Sequence, residues 1–407
     1  MIKINSSKIA LQNKIYLGSK QYLIIYSLIV IPPLLDFFAY NTNAARLSRI
    51  LIAILMCQNL LIQKKQIYKR KKFNFELFLL TYLIIQGIII DAIKSAPFSP
   101  NFIIIIIFAF YINSEKIITN KEKLIDILIL SSRHLILVSF ITIIFSLNLR
   151  NEYSASRGYF IPFQSILGIA GRQYGIFYAP NALAQVSGFV FLSCLMLRSS
   201  VFYSTISFFC LLESGSRSSL IITIILSIVI LVRKKESAKT IKATKVKDEY
   251  LSFLKTQIYY FLIVITLSIF LTIVDSLNNS NFNQRVFIWK TSLAYLQNDL
   301  FLGMGWRWYE NAIDIGMLPT WATNAHNVNF EILFSTGIIG LFIFIVIITR
   351  IFNSNVSHIR RIILIYLLTS GLTESNLQFI YADFFTYVLL ILAVGEYQNE
   401  RLIVDEN

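Results

Sequence analysis

The stretch VNFEILFSTGIIGLFIFIVIIT, residues 328–349, decides the fold of this protein. It holds a single charged side chain, Glu331, in 22 residues. A helix needs about 20 mostly apolar residues to cross the hydrocarbon core of a bilayer. The run is continuous rather than alternating, which favours a membrane-spanning helix over a strand of a barrel.

The rest of the chain has the same character. It has 407 residues, 56% of them hydrophobic and 14% charged, with a mean hydropathy of +0.65. A soluble globular protein carries about 25% charged residues, so this composition excludes a water-soluble enzyme, a disordered tail and a fibrous repeat. The apolar runs are 21–40, 46–62, 75–93, 100–112, 124–147, 181–197, 201–213, 218–232, 257–275, 328–349, 361–374 and 383–396.

These runs predict an all-α, polytopic membrane protein, a single membrane domain over residues 1–407. The expected number of spans is about 12, or as few as about ten because the runs at 100–112, 201–213 and 361–374 are short. The first run begins near Gln21 and is long enough to span, so we expect a retained helix rather than a cleaved signal peptide.

The net charge of +15 tests this topology. With the N-terminus inside, 26 of the 37 Lys and Arg residues lie in the segments predicted to be cytoplasmic, and ten lie outside. This is the bias expected of a membrane protein with both termini in the cytoplasm, so the charge does not indicate nucleic acid as a partner. The basic loop 233–255 is the strongest cytoplasmic marker, although it could instead bind anionic lipid.

Lysine and arginine are distributed differently. Only two of the 21 lysines fall outside, against eight of the 16 arginines. Topology alone does not explain why arginine is kept where lysine is excluded. Arginine offers a planar fork of donors that suits phosphate and carboxylate groups. The outer face is therefore expected to handle an anionic ligand.

Two of the predicted outer loops are long, at 148–180 and at 276–327, the second lying between the ninth and tenth spans. All four tryptophans (Trp289, Trp306, Trp308 and Trp321) fall in the second loop. Two interpretations remain open: an aromatic belt at the membrane interface, or a platform on which sugar rings stack.

Several chemistries are absent from the sequence. It holds no phosphate-binding loop of the G-x-x-x-x-G-K-[ST] kind, no dinucleotide fingerprint, no D-x-D pair, no G-x-S-x-G elbow and no H-E-x-x-H. The three cysteines lie in apolar stretches without zinc spacing and are interpreted as small hydrophobes. No cofactor, metal or nucleotide is therefore predicted.

The first candidate site is the outer turn 214–219, Ser-Gly-Ser-Arg-Ser-Ser, which follows Glu213. Small residues allow backbone N–H groups to converge, and Arg217 adds a bidentate cation, which together suit a phosphate. The alternative is an ordinary Gly/Ser turn with an arginine that reaches towards the interface.

Two further candidates lie in or after the 276–327 loop. Arg285 is predicted in the first turn of an amphipathic helix on the outer leaflet, where N–H groups favour an anion; a surface arginine that caps the helix is the alternative. His326 stands where the loop re-enters the membrane and is placed to act as a general base. His134 lies in mid-span, where packing or a hydrogen bond is expected, and His358 lies in a basic inner loop.

The order of these features resembles the O-antigen ligase and polymerase family of bacterial envelope glycosyltransferases. S-G-S-R-S precedes an apolar span and is followed by Q-R-x-x-x-W, by G-x-G and by A-H-N-x9-G-I-I-G. Residues 175–184 also resemble the family pattern G-x-F-x-x-P-N-x-x-A. The motifs cover about 170–345, and the rest is similar only in its number of spans.

The resemblance implies a site on the periplasmic face of the inner membrane. There the family takes a glycan from an undecaprenyl diphosphate carrier. A ligase passes the glycan to the lipid A core, and a polymerase passes it to another carrier-linked unit. No metal or nucleotide is implied, because the diphosphate is already a good leaving group.

By the same resemblance, Arg217 and Arg285 would bind the diphosphate and His326 would activate the acceptor hydroxyl. Further candidates for substrate contact are Ser216, Arg172, Arg307, Asn327 and Glu374. Carboxylates near spans are costly and either act in function or pair with a cation; besides Glu374 these are Asp36, Asp91 and Glu213.

Two alternatives stay open at this point. Ligase and polymerase activity are equally compatible with the motifs. A flippase for the same lipid carrier is the rival from another class, but it should carry charge at mid-membrane, and no internal repeat supports a transporter.

Overall fold

The computed structural model describes residues 20–38, 42–64, 75–94, 96, 98–113, 121–145, 172–177, 179–197, 199–237, 280–320, 322–353, 358–372 and 383–394. Within these ranges every regular element is an α-helix. The helices are α1 Lys20–Phe38, α2 Thr42–Lys64, α3 Phe75–Ile93, α4 Pro100–Ile112, α5 Lys121–Ile144, α6 Pro180–Leu197, α7 Val201–Glu213, α8 Arg217–Ser237, α9 Ser280–Leu296, α10 Trp308–Asp314, α11 Val328–Asn353, α12 His358–Gly371 and α13 Phe384–Ala393.

The prediction of an all-helical fold is confirmed over the described residues, and the helices are consistent with a membrane protein. Six helices are long and apolar enough to cross a bilayer: α1, α2, α3, α5, α6 and α11. Shorter apolar helices lie at α4, α7, α13 and the first part of α8, over residues 217–231. The predicted ninth run, 257–275, lies outside the described residues, so the number of about 12 spans and the placement of the loops stay predictions.

Helix α13 lies at the centre of the bundle. It packs against α3, α4, α5, α11 and α12, while neighbouring pairs of α2, α4, α3, α11, α12, α8, α6, α5 and α1 make a closed ring around it. Its residues from Phe385 to Val394 are buried on every side. A helix that is apolar all round is stable only inside protein or lipid, and here protein surrounds it. Asp383 caps its first turn by accepting the N–H of Thr386 at 2.8 Å.

Helices α3 and α11 run antiparallel, and two contacts show this. Near one end Arg350 Nε donates to Glu76 Oε1 at 2.8 Å; towards the other, Gln86 Nε2 donates to the carbonyl of Thr336 at 3.0 Å. The second end, at which α3 and α12 finish and α8 and α11 begin, is called the site end below.

Helix α11 is broken at Gly337, and the loop before α10 fills the break. In an unbroken helix the N–H groups of residues 338 and 339 would donate to the carbonyls of residues 334 and 335. Here the loop supplies partners for all four groups. Met304 and Gly305 donate to the carbonyls of Phe334 and Ser335 at 2.7 and 2.9 Å, and Ile338 and Ile339 donate to those of Leu300 and Phe301 at 2.9 and 3.3 Å. We call this arrangement the interlock, made by residues 300–305 and 334–339.

Two glycines make the interlock possible. Gly337 has φ of 68°, and a Cβ on it would lie 2.3 Å from the carbonyl oxygen of Phe301. Gly303 has φ of 85°, and its Cβ would lie 2.4 Å from the nitrogen of Gly337. Both positions therefore exclude any side chain. Irregular backbone at membrane depth needs every polar group satisfied, and the interlock meets that condition for these four.

Candidate functional site

The turn between α7 and α8 is built from bonds between near neighbours. The N–H groups of Ser214 and Gly215 donate to the carbonyls of Cys210 and Leu212, and Ser214 Oγ donates to Leu211. Gly215 has φ of 63°. Ser216 is buried, and its hydroxyl donates to Ser219 Oγ at 3.1 Å inside the same turn. Arg217, the first residue of α8, is exposed at the site end.

Arg172 supports this turn from the preceding segment. Its Nε donates to the carbonyl of Ser214 at 2.8 Å, and a second guanidinium nitrogen donates to Asn181 Oδ1. The N–H of Gln173 donates to the carbonyl of Glu213 at 3.0 Å. Arg172 therefore lies beside the turn that carries Arg217, where a residue that contacts substrate is expected. Two of its donor groups, however, hold the turn and Asn181.

Arg285 lies on α9, which begins at Ser280 rather than near residue 284. Arg285 therefore sits in the second turn, and its predicted place among the free N–H groups of the first turn is wrong. An amphipathic helix on the outer leaflet would turn the side made by Val286, Trp289, Leu293 and Leu296 to lipid. Here Trp289 and Leu296 are buried within the protein, and only Leu293 of these four is exposed. Trp289 packs on Phe330 of α11, with ring centroids 4.8 Å apart.

His326 is presented by a short, strongly held segment. It is the non-glycine residue with positive φ, 50°, in the described part of the chain. Its N–H donates to Asn324 Oδ1 at 2.9 Å. The preceding residue, Ala325, donates its N–H to Glu331 Oε2 at 3.0 Å and accepts from Trp289 Nε1 at 2.7 Å. The His326 side chain is partly exposed, so it is accessible to a reacting group.

Asn327, predicted to contact substrate, caps α11. Its Oδ1 accepts from the N–H groups of Asn329 and Phe330 at 2.9 and 3.3 Å, the usual work of an N-cap residue. Its Nδ2 donates to the carbonyl of Leu372, just after α12, at 3.0 Å. Asn327 is buried, so its amide holds the helix start in place and is engaged on both sides.

Arg285 and His326 lie on two segments that are bonded to each other. Trp289 follows Arg285 by one turn on the same side of α9, and its indole is bonded to the residue before His326.

Arg217 lies at the same end of the bundle. The Tyr366 hydroxyl of α12 lies beside Thr223 of α8. Arg217 is six residues above Thr223, and Leu372 is six above Tyr366, so each lies roughly 9 Å above that contact. Since Asn327 is bonded to Leu372, the His326 turn and the Arg217 turn lie at the same end of the bundle.

Arg307 is held differently from Arg217. Its side chain pairs with Glu310 three residues later, and its N–H donates to Asp91 Oδ1 at 3.1 Å. A Cβ on Gly305 would lie 2.1 Å from the same carboxylate oxygen. Asp91, one of the carboxylates near a span for which a role was predicted, therefore anchors the loop to the end of α3.

The loop has a core of its own, and three of the four tryptophans belong to it or to the bundle core. Trp289, Trp306 and Trp308 are all buried; Trp306 donates to the carbonyl of Ile84 at 3.2 Å and Trp308 to Ser292 Oγ at 3.3 Å. Both an interfacial belt and a sugar platform need exposed indoles, so both predictions are wrong for these three residues. Trp321 lies outside the described residues.

Buried Tyr309 packs in the same loop core. Burial, and then the charge of Glu331, raise the pKa of Tyr309 well above its usual value. The phenol is therefore neutral through the physiological range.

The remaining predicted groups divide in two. Glu374 lies outside the described residues, as do most of the 148–180 loop and the basic loop 233–255 beyond residue 237. His134 Nδ1 is hydrogen-bonded to the Tyr26 hydroxyl, 2.6 Å away, which confirms the predicted hydrogen bond of His134. In the described part of the chain, no group of three or more His, Cys, Asp and Glu residues could hold a metal ion.

Sequence reasoning missed Glu331 and Gln86. Glu331 was read only as the one charge in an apolar run, although its place in the first turn of a helix is a signal for an anchoring carboxylate. Gln86 joins α3 to both segments of the interlock, because its side chain donates to the carbonyls of Thr336 and Leu302. Nothing in the local sequence around it indicated this.

Comparison with known proteins supports the resemblance seen in the motifs. The family model for O-antigen ligase matches residues 202–345, which include Arg217, Arg285 and His326. The predicted resemblance to the O-antigen ligase and polymerase family is thus confirmed over that part of the chain. No curated protein matches the chain.

Proposed function

We propose that this protein is a membrane glycosyltransferase that moves a glycan from a polyprenyl diphosphate carrier to a sugar hydroxyl. The hydrogen bond between Trp289 and Ala325 carries the proposal, because it holds the helix of Arg285 against the turn of His326. The O-antigen ligase match over 202–345 supports the same role in surface polysaccharide synthesis.

The proposed step is a displacement at the anomeric carbon of the donor. His326 takes the proton of the acceptor hydroxyl, the oxygen forms the new glycosidic bond, and the bond from the anomeric carbon to the diphosphate breaks. The lipid diphosphate leaves with the electron pair. Arg217 and Arg285 stabilise the charge that grows on it, which is most effective where water is scarce. The diphosphate is already a good leaving group, so the step as proposed uses neither metal nor nucleotide.

We further propose that the site end faces the periplasm, with both termini in the cytoplasm and the bundle in the bacterial inner membrane. The excess of Lys and Arg in the opposite segments supports this orientation. Arg350, at the end of α11 away from His326, agrees with that assignment.

The first test replaces the three proposed residues one at a time with Ala in a strain that lacks the chromosomal gene. We expect His326→Ala, Arg217→Ala and Arg285→Ala each to lower long-chain surface polysaccharide by about a hundredfold or more. His358→Ala is the control, because α12 begins there at the opposite end of the bundle. Wild-type amounts of polysaccharide from all three variants would refute the mechanism.

The acceptor is the next question, since ligase and polymerase share the proposed chemistry. Gel electrophoresis of polysaccharide from the deletion strain separates them. Loss of a polymerase leaves a single repeat unit on the lipid A core, whereas loss of a ligase leaves nothing attached.

A flippase for the same carrier is the second candidate. The clustering of Arg217, Arg285 and His326 at one end of the bundle favours transferase over transport, because a flippase needs charge through mid-membrane. Accumulation of donor on the cytoplasmic leaflet in the deletion strain would favour the flippase.

A further inference from the structure

The residue before His326 is held from two sides. Glu331 accepts the N–H of Ala325 at 3.0 Å, and Trp289 donates to its carbonyl at 2.7 Å. All three side chains are buried. Both polar groups of one residue are thus bound by side chains, one from α9 and one from the first turn of α11. This pair of contacts is called the Ala325 clamp below.

His326 needs such support because of its backbone. Its φ of 50° is one that a residue with a Cβ rarely adopts. A conformation of this kind costs free energy and persists only where the surroundings impose it. Asn324 holds the N–H of His326, Asn327 caps the next helix, and the Ala325 clamp fixes the peptide on the other side. The direction in which the imidazole leaves the chain is set by these contacts together.

Glu331 is suited to holding the Ala325 peptide in place rather than to transferring a proton. It is buried in the first turn of α11, where the dipole of a helix favours a carboxylate. One of its oxygens is already occupied by Ala325. The ionised form is the better acceptor for a backbone N–H, because a charge-assisted bond is shorter and stronger than a neutral one.

Trp289 connects the clamp to α9, the helix that carries Arg285. Its ring packs on Phe330 and its indole reaches Ala325, so α9 cannot move without moving the His326 turn. Arg285 lies one turn away on the same helix. Any displacement of α9 would therefore also displace the peptide that carries His326.

We infer that Glu331 and Trp289 are positioning residues for His326, and that Trp289 couples it to the arginine helix. The inference rests on the proposed function, since it assigns His326 the role of base. It predicts that loss of the clamp lowers turnover while donor binding, which depends on the arginines, is retained.

The kinetic test compares Glu331→Ala with Glu331→Gln in detergent-purified protein. The donor is lipid-linked oligosaccharide extracted from the deletion strain. Glu331→Ala should lower kcat by about a hundredfold, the cost of a misplacement of about 1 Å, with little change in KM for the donor. Glu331→Gln should fall by no more than about fivefold, because its amide oxygen still accepts the Ala325 N–H.

The two variants also separate positioning from chemistry. If Glu331→Gln is as inactive as Glu331→Ala while both remain folded, the carboxylate takes part in proton transfer and the inference is wrong. If Glu331→Ala keeps wild-type kcat, the clamp does not position the histidine and the inference is equally wrong.

A second measurement does not depend on activity. The chain has three histidines, so selective labelling of histidine gives three ring signals in a spectrum of the detergent-solubilised protein. His326→Ala assigns the signal of interest. Glu331→Ala and Trp289→Phe should shift or broaden that signal and leave those of His134 and His358 in place, while Glu331→Gln should leave all three nearly unchanged.

Failure of the two proposals is distinguishable. A His326 signal that responds to the clamp, in a protein whose His326→Ala variant still transfers glycan, would keep the positioning and refute the base. If the His326 signal is unchanged in both Glu331→Ala and Trp289→Phe, the positioning role of the clamp is refuted, whatever the activity of these variants.

Discussion

The two segments that carry the candidate residues are built in opposite ways. The turn 213–217 is closed mostly by bonds between residues two to four positions apart, and it leaves Arg217 exposed. The loop 297–327 shares a buried core with α9 and with Phe334 of α11, and its backbone is bonded to residues 30 to 38 positions away in α11. A short turn is enough to present a flexible cation, whereas a base that must face one atom needs a rigid platform.

The same difference separates what each segment depends on. The turn needs its own small residues and the support of Arg172. The loop needs the break at Gly337, the anchor at Asp91 and the clamp on Ala325. Changes far from His326 should therefore disturb the loop side of the site more than the turn side.

The largest effect is expected from Gly337→Ala, which attacks the interlock. The added Cβ would lie 2.3 Å from the carbonyl oxygen of Phe301, where neither backbone can yield. We expect a loss of more than about 4 kcal/mol, seen as failure to recover folded protein from membranes. Gly316→Ala is the matched control: Gly316 also has positive φ, but nothing lies within 4 Å of a Cβ there. Its cost should be only the backbone strain, about 1 kcal/mol. Equal loss from both variants would mean that strain, not contact, makes Gly337 necessary.

Gln86→Leu should sharpen the comparison at lower cost. It removes the donor that reaches the carbonyls of Thr336 and Leu302, and Thr336, which is buried, loses a partner. We expect a loss of about 1–3 kcal/mol of stability, measured as a lower melting temperature in detergent. Thr81→Val on the same helix removes only a bond within one helix, to Leu77, and should melt close to wild type. An unchanged melting temperature for Gln86→Leu would show that the interlock holds without α3.

A pair of arginine-to-lysine changes compares the two segments directly. Arg217→Lys keeps the charge but loses the planar fork, so we expect transfer to slow by about tenfold. Arg307→Lys should stay within about twofold, because a partly exposed pair with Glu310 contributes at most about 1 kcal/mol. Polysaccharide synthesis from purified protein measures both. A larger loss from Arg307→Lys would place the working arginine on the loop rather than on the turn.

The smallest effect concerns the pH dependence of the loop core. Because burial raises the pKa of Tyr309 above that of an unfolded tyrosine, the folded state keeps this proton longer. Its contribution to stability is complete below about pH 10 and is lost as the pH rises from there towards the folded pKa. Wild-type melting temperature, relative to that of Tyr309→Phe, should therefore begin to fall near about pH 10 and continue to fall at higher pH. The other tyrosines are present in both proteins, so their effect on the melting temperature cancels in the difference. Parallel curves would show that Tyr309 titrates normally.

What could be predicted from the sequence follows the same division. Apolar runs located the helices, because the need to satisfy backbone groups in a bilayer acts on each run separately. The compact form of the turn at Arg217 follows from its own Ser and Gly residues, since most of its bonds join near neighbours; its part in binding phosphate stays a prediction. The motif order also predicted the family resemblance over 202–345.

The parts that escaped prediction depend on distant partners. The burial of Trp289, Trp306 and Trp308 follows from acceptors on Ala325, Ile84 and Ser292, which no local pattern reveals. The start of α9 at Ser280, and hence the place of Arg285 in the second turn, was masked by a polar stretch without an apolar period. Asn327 was predicted to contact substrate, and the structure also gives its amide the role of capping α11.

Helix α13 has a consequence for how the protein is made. Of the described helices it is the last in the chain, yet it lies at the centre of the ring. A ribosome therefore delivers the surrounding helices to the membrane before the piece that fills the space between them. Until α13 arrives, its partners on α3, α4, α5, α11 and α12 must stay loosely associated or be occupied by lipid. Assembly of this bundle is thus expected to be completed only after synthesis has passed residue 393, and a nascent chain halted earlier should remain open to proteases.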